Sequence, residues 1–195
     1  CREVTQATGG YFIPGGGTMP AAEPGYMEAV AEIAEQRGGR FDFAHVVLAY
    51  GTGSTATGVM LGLALGGVRA AVHPIAISTR YAVEEAFKLP APAKLFLESA
   101  AHFGLPIGRA DMPPHEIVYG YGEEGYGVPN AASDAALRLM ASQEGYFLDT
   151  VYTAKGFAGL CGLVERGEIA RGSRVLFLHT GGLSMTPAAE KRFRR

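Results

Sequence analysis

The sequence predicts an α/β fold of three layers, αβα, with helices covering both faces of a mainly parallel sheet. Three observations predict it. Short aliphatic runs alternate with helical stretches along the 195 residues, and such alternation builds parallel sheets wrapped on both sides. Two of these runs end in glycine loops, GTGSTATG at 51–58 and HTGG at 179–182. In sheets of this kind ligands gather beyond the C-terminal strand ends. Hydrophobic residues make up 48% of the chain and charged residues 18%, which supplies a sizeable core and argues against disorder.

The elements follow in order. Gly25 to Gln36 is a helix, with Tyr26, Val30, Ile33 and Ala34 on one face. Ala44 to Tyr50 (AHVVLAY) is a strand, and Gly58 to Leu65, beyond the glycine loop, is a helix of small residues. Ala71 to Ser78 is a second strand, weakened or bulged at Pro74. Tyr81 to Phe103 is helical, broken near Pro90 and Pro92. Ile117 to Tyr121 is a short strand. Ala131 to Glu144 is an amphipathic helix capped by Asn130. Lys155 to Arg166 is a helix stopped by Gly167, and Val175 to His179 is the last strand.

Composition narrows the function. A net charge of −2 gives no electrostatic case for nucleic acid or an anionic membrane surface. The most apolar stretch, from Val59 to Ala71, is short and interrupted by glycines, so no membrane span is expected. Cys1 and Cys161 lack disulfide or zinc spacing, and Cys161 reads as an inert core thiol. The histidines share no metal pattern, so no metal is expected. With no signal-peptide pattern at the start, the expected compartment is the cytoplasm. The basic tail KRFRR reads as a solvated end.

The loop after the first strand carries the chemistry. Gly51-x-Gly53-x-x-Ala56 fits a loose dinucleotide pattern. A dinucleotide site also needs an acidic ribose contact about 20 residues on, and AAVHPIAIS offers none. A Walker loop needs a lysine here, and none is near. What remains is a strand-to-helix turn dense in hydroxyls: Thr52, Ser54, Thr55 and Thr57. Backbone N–H groups, hydroxyls and a helix N-terminus suit a single terminal phosphate. A tight turn with close packing is the bland alternative.

Four stretches together resemble one family. YFIPGGGTMPAAEPGYMEAVAEIAEQ, VVLAYGTGSTATG, YGVPNAASDAALRLMASQEGYFLDTVYTAKGFAGL and GSRVLFLHTGG, spanning Tyr11 to Gly182, are similar to segments of D-cysteine desulfhydrases and 1-aminocyclopropane-1-carboxylate deaminases, in the same order. The resemblance implies a pyridoxal 5'-phosphate (PLP) enzyme of fold type II and a homodimer in the intact enzyme. Carried over by motif, Thr52, Gly53, Ser54 and Thr55 bind the cofactor phosphate. Tyr126 (in YGVPN) and Tyr152 (in DTVY) face a small amino-acid substrate as catalytic residues. Thr153 and Thr180 lie near the pyridine nitrogen.

The two threonines choose between subfamilies. The deaminases resembled here carry Glu and Leu at those positions. A hydroxyl makes the ring a weaker electron sink than a carboxylate does, which suits loss of a thiol better than opening of a cyclopropane. The expected reaction is β-elimination of D-cysteine to pyruvate, hydrogen sulfide and ammonia. Deamination of 1-aminocyclopropane-1-carboxylate and L-cysteate sulfo-lyase activity stay open beside it.

The family's Schiff-base lysine precedes the phosphate loop, whereas the lysines here are Lys88, Lys94, Lys155 and Lys191. Residues 1–195 therefore read as the C-terminal part of such an enzyme, mostly its larger cofactor domain. A non-catalytic fragment needing an N-terminal partner chain is the competing expectation. Lys155 reads as structural or solvent-facing, Asp149 as the residue ordering the DTVY turn, and His179 as a strand-end histidine bonded to backbone. Thr18-Met19-Pro20 and Ala154 depart from the family's usual Ser-Asn-Pro and Gly, and the stretch before YGVPN is longer and richer in glycine.

Overall fold

The computed structural model describes residues 2–86 and 91–182. Cys1, Lys88, Pro90, Lys191 and the KRFRR tail lie outside the described residues. The elements are α1 (Arg2–Thr8), α2 (Pro24–Gln36), β1 (His45–Tyr50), α3 (Ser54–Leu65), β2 (Ala71–Ala76), α4 (Pro92–His102), α5 (Ala131–Glu144), α6 (Thr153–Glu165) and β3 (Val175–Leu178). The three strands are parallel, in the order β2-β1-β3.

The two-residue alternation of strands sorts β1 between two cores. Val46, Leu48 and Tyr50 pack with Val59, Met60 and Leu63 of α3 and Phe96 of α4. Val47 faces the other way, towards Ile75, Leu163 and Ile169. Helices α2, α3 and α4 thus cover one face and α5 and α6 the other, giving the expected three layers. Because the strands run parallel, Tyr50, Ala76 and Leu178 end on one edge of the sheet, where the candidate residues emerge.

Four sequence expectations change. The Ile117–Tyr121 segment forms no strand; the chain meets β2 through isolated bridges at His115, just before the segment, and at Val118 within it. Pro74 explains this. Val72 N–H reaches Pro114 O and Ala76 N–H reaches Val118 O, so residue 74 should donate between them, and proline has no N–H. Pro74 makes no bulge and stays in register opposite Leu48. Helix α3 begins four residues earlier than the sequence suggests, at Ser54, so the hydroxyls belong to its first turn. The Tyr81–Phe103 stretch divides into a π-type turn at Ala82–Ala86 and α4, which starts on Pro92 where a missing N–H costs nothing.

Helices α2 and α3 approach through Gly58 and Gly62. A β-carbon on Gly62 would lie 2.9 Å from Met27 O and 2.9 Å from Val30 Cβ. Neither can retreat without moving α2. Gly62→Ala should therefore destabilise the fold by about 2 kcal/mol, despite a gain of about 1 kcal/mol in helix propensity. A urea midpoint at or above that of the native sequence would contradict this packing.

Among the described residues no helix is long and apolar enough to cross a membrane.

Candidate functional site

The glycine turn at 51–53 leaves β1 and enters α3. Gly53 takes φ 101°, and a β-carbon there would lie 3.1 Å from Leu95 Cδ1 and 3.2 Å from the Tyr50 hydroxyl. Glycine is required on both counts. The N–H groups of the first helical turn have no partner within the helix, as at any helix start. The hydroxyls of Ser54 and Thr57 are buried and also unpartnered. Thr52 and Thr55 are half-buried, and no lysine or arginine occurs between residues 51 and 58. Turn and hydroxyls together make a donor-rich, cation-free end suited to an anion.

A second glycine turn covers this one. Gly16 in the PGGG run adopts φ 68°, and a β-carbon on it would lie 2.5 Å from the Thr52 hydroxyl oxygen. Sequence reasoning placed this run in the family but gave it no part in the site. Its three consecutive glycines were the signal.

The DTVY turn is built on Asp149, which is fully buried. Its Oδ1 accepts the N–H of Val151 at 2.8 Å and of Tyr152 at 2.7 Å. Its Oδ2 accepts the N–H of Thr153 at 2.9 Å and the Thr153 hydroxyl at 2.7 Å. This is the turn-ordering arrangement expected of it. The Thr153 hydroxyl also accepts the Asp149 N–H at 2.9 Å. Its proton is committed to Asp149, so towards any ring nitrogen Thr153 has only a lone pair. The 179–182 segment lies on the same turn: a β-carbon on Gly182 would meet Asp149 Oδ2 at 2.3 Å. Thr180 is exposed there. His179 Nε2 lies 2.8 Å from Phe147 O, the backbone bond expected of that histidine.

Tyr152 connects these parts. Its ring edge lies 3.9 Å from a β-carbon built on Gly51. Its hydroxyl is hydrogen-bonded to that of Tyr126, with the rings edge to face at 5.9 Å. Burial, and then the Tyr126 hydroxyl, push the Tyr152 phenol up to about 12. It stays protonated across the neutral range.

Lys155 departs from the solvent-facing option. It is fully buried, and its ammonium donates to Ile77 O and Gly125 O, each at 3.0 Å. The structural option stands, and the burial places the amine between backbone carbonyls. Cys161 is half-buried rather than in the core; burial and then Glu165 push its thiol up, away from the reactive thiolate.

The geometry can now be set beside known proteins. A family model described as pyridoxal-phosphate dependent enzyme matches residues 1–181. A Pyrococcus horikoshii protein, provisionally named 1-aminocyclopropane-1-carboxylate deaminase, is 36% identical over 177 residues, covering 90% of this chain and 50% of its own. A D-cysteine desulfhydrase of Yersinia enterocolitica is 34% identical over 172 residues, covering 88% and 50%. The crystal structure of an ACC deaminase homologue, ACC being the cyclopropane amino acid, superposes with a TM-score of 0.75 at 33% identity, covering 97% of this chain and 55% of the other. The chain spans about half the length of the curated relatives it matches.

Proposed function

The chain belongs to the family of pyridoxal-phosphate dependent enzymes, and we propose that its residues serve β-elimination from D-cysteine, giving pyruvate, hydrogen sulfide and ammonia. Its three-layer core has the type II fold of those enzymes. The observation that carries the reading is the pair of orphaned, buried hydroxyls of Ser54 and Thr57 at the start of α3, beside a tyrosine pair at the same sheet edge. A buried hydroxyl without a partner is costly unless a ligand supplies one. The cofactor phosphate fits this turn. Thr52, Ser54 and Thr55 would hold it with the free N–H groups of α3.

Bound there, the cofactor supplies an electron sink for the substrate's α-carbon. The chain's own residues do the rest. Tyr152, protonated at neutral pH, would accept from the Tyr126 hydroxyl and donate its own proton towards substrate. Thr180 would offer its exposed hydroxyl towards the ring nitrogen, and Thr153 would offer only a lone pair because its proton is held by Asp149. Threonines rather than a carboxylate at these two positions would make the sink modest, which would favour loss of a thiol, a good leaving group, over opening of a cyclopropane. In this reading the α-proton is handled by a lysine of the half that the relatives carry beyond this chain's span, and the working protein is a homodimer.

The test is binding of PLP by the chain, followed through the 31P resonance of its phosphate. Ser54→Ala should weaken binding about tenfold, the loss of one charge-assisted hydrogen bond. It should leave stability equal or slightly raised, since an unsatisfied hydroxyl is removed. Unchanged affinity would reduce the loop to a tight turn. On an active preparation, sulfide release from D-cysteine exceeding keto-acid release from 1-aminocyclopropane-1-carboxylate supports the substrate assignment; the reverse order overturns it.

A further inference from the structure

Lys155 is a buried cation that the proposed chemistry does not use. It projects from the first turn of α6, directly after the DTVYT segment, into a place with no solvent access. Taking an ammonium out of water is expensive, and an apolar chain of the same length would fill the space at lower cost. Its two partners say what is gained. One is Ile77 O, at the C-terminal end of β2; the other is Gly125 O, in the glycine-rich stretch before YGVPN. Gly125 is bonded to its own Tyr126.

The stretch lies directly on the end of β2. A β-carbon on Gly122 would fall 2.3 Å from Ile77 C and 2.4 Å from Ser78 N, so only glycine lets the chain pass. Gly125 has φ 110° and its N–H reaches Gly122 O at 3.0 Å. Asn130 Nδ2 holds the start of the segment through Tyr121 O at 3.2 Å, Val128 N–H reaches Gly125 O at 3.4 Å, and Lys155 ties Gly125 O from below. Glu124 also accepts from Asn130, the α5 cap, at 2.8 Å. Two elements therefore set where Tyr126 stands: α5 behind it and the Lys155 ammonium beneath it.

We propose that Lys155 is a positioning residue, whose clamp on Gly125 O and Ile77 O fixes the Tyr126 hydroxyl against that of Tyr152. The proposal rests on the reading of this tyrosine pair as the substrate-facing one. It also gives a use to the glycine-rich stretch, which lets a loop lie flat on a strand end and be tied from below. Lys155 donates to two backbone carbonyls and stands outside the group of residues proposed to touch substrate.

The test labels tyrosine at 13Cζ and reads the ring-hydroxyl environment by NMR, with Tyr126→Phe and Tyr152→Phe assigning the two signals and marking the position of a broken pair. In Lys155→Met the Tyr152 signal should move to its position in Tyr126→Phe. The amides of residues 122–128 should exchange with solvent at least tenfold faster, with those of β1 unchanged. The 31P signature of bound PLP should stay as in the native chain, since the phosphate turn does not touch Lys155. A folded Lys155→Met that keeps the native pair signals overturns the proposal. Loss of PLP binding by the native chain overturns the function reading instead. Should Lys155→Met not fold, exchange in the native protein decides. Amides at 122–128 protected as well as those of β1 support the clamp, and free exchange there removes it.

Discussion

Asp149→Ala is expected to lower stability by about 4 kcal/mol and to release the DTVY turn. The carboxylate accepts three backbone N–H groups and one hydroxyl at 2.7–2.9 Å from a position without solvent access. Alanine leaves all four donors unpaired in a buried turn. Each orphaned donor costs about 1–3 kcal/mol, and a cavity that admits water recovers part of the sum. The same carboxylate is the surface on which Gly182 lies, so HTGG loses its seat as well. Asp149→Asn separates the terms. Its one carbonyl oxygen can still accept from Val151 and Tyr152, while its amide faces the Thr153 N–H with another donor. About half the loss is expected from it. Urea unfolding followed by circular dichroism measures both. A loss below about 1 kcal/mol for alanine would mean that the turn is held by its packing rather than by the carboxylate.

How much of this was legible beforehand follows from the range of each signal. The aliphatic run in HVVLAY is local, and it placed β1 to within one residue. The capping role of Asp149 was legible because its partners lie within four residues. Ser54 and Thr55 were read as loop because hydroxyls favour turns, yet the first turn of a helix tolerates them equally well. The 117–121 segment failed as a strand because of a proline more than forty residues away in sequence, on the neighbouring strand. Lys155 was the hardest. Its partners are 78 and 30 residues away, and nothing next to it in TAKGF announces two carbonyls waiting for an ammonium. Local geometry carried by contiguous motifs was readable; contacts assembled between distant segments were not.

Glu23 belongs to that second kind and sets the largest expected pH effect. This acid just before a helix is fully buried, with only the Ser99 hydroxyl of α4 beside its carboxyl. The close approach of α3 at Gly58, where a β-carbon would meet Glu23 O at 2.7 Å, shuts water out. Burial pushes the carboxyl up from 4.5 to about 7, against a smaller opposing pull from the Ser99 hydroxyl on α4. The folded chain therefore holds this proton more tightly than the unfolded chain does. Its contribution to stability is complete below pH 4.5, is lost as pH rises towards 7, and stays lost above that. The full difference amounts to about 3 kcal/mol. Glu23→Gln should flatten this part of the profile, because an amide does not titrate and mimics the protonated acid in shape. The measurement is urea unfolding of both chains at several pH values from 5 to 8. The difference should grow in the variant's favour from pH 5 to about 7 and level off above it. A difference that stays constant across the range would mean that water or a cation reaches Glu23, and that its carboxylate is solvated after all.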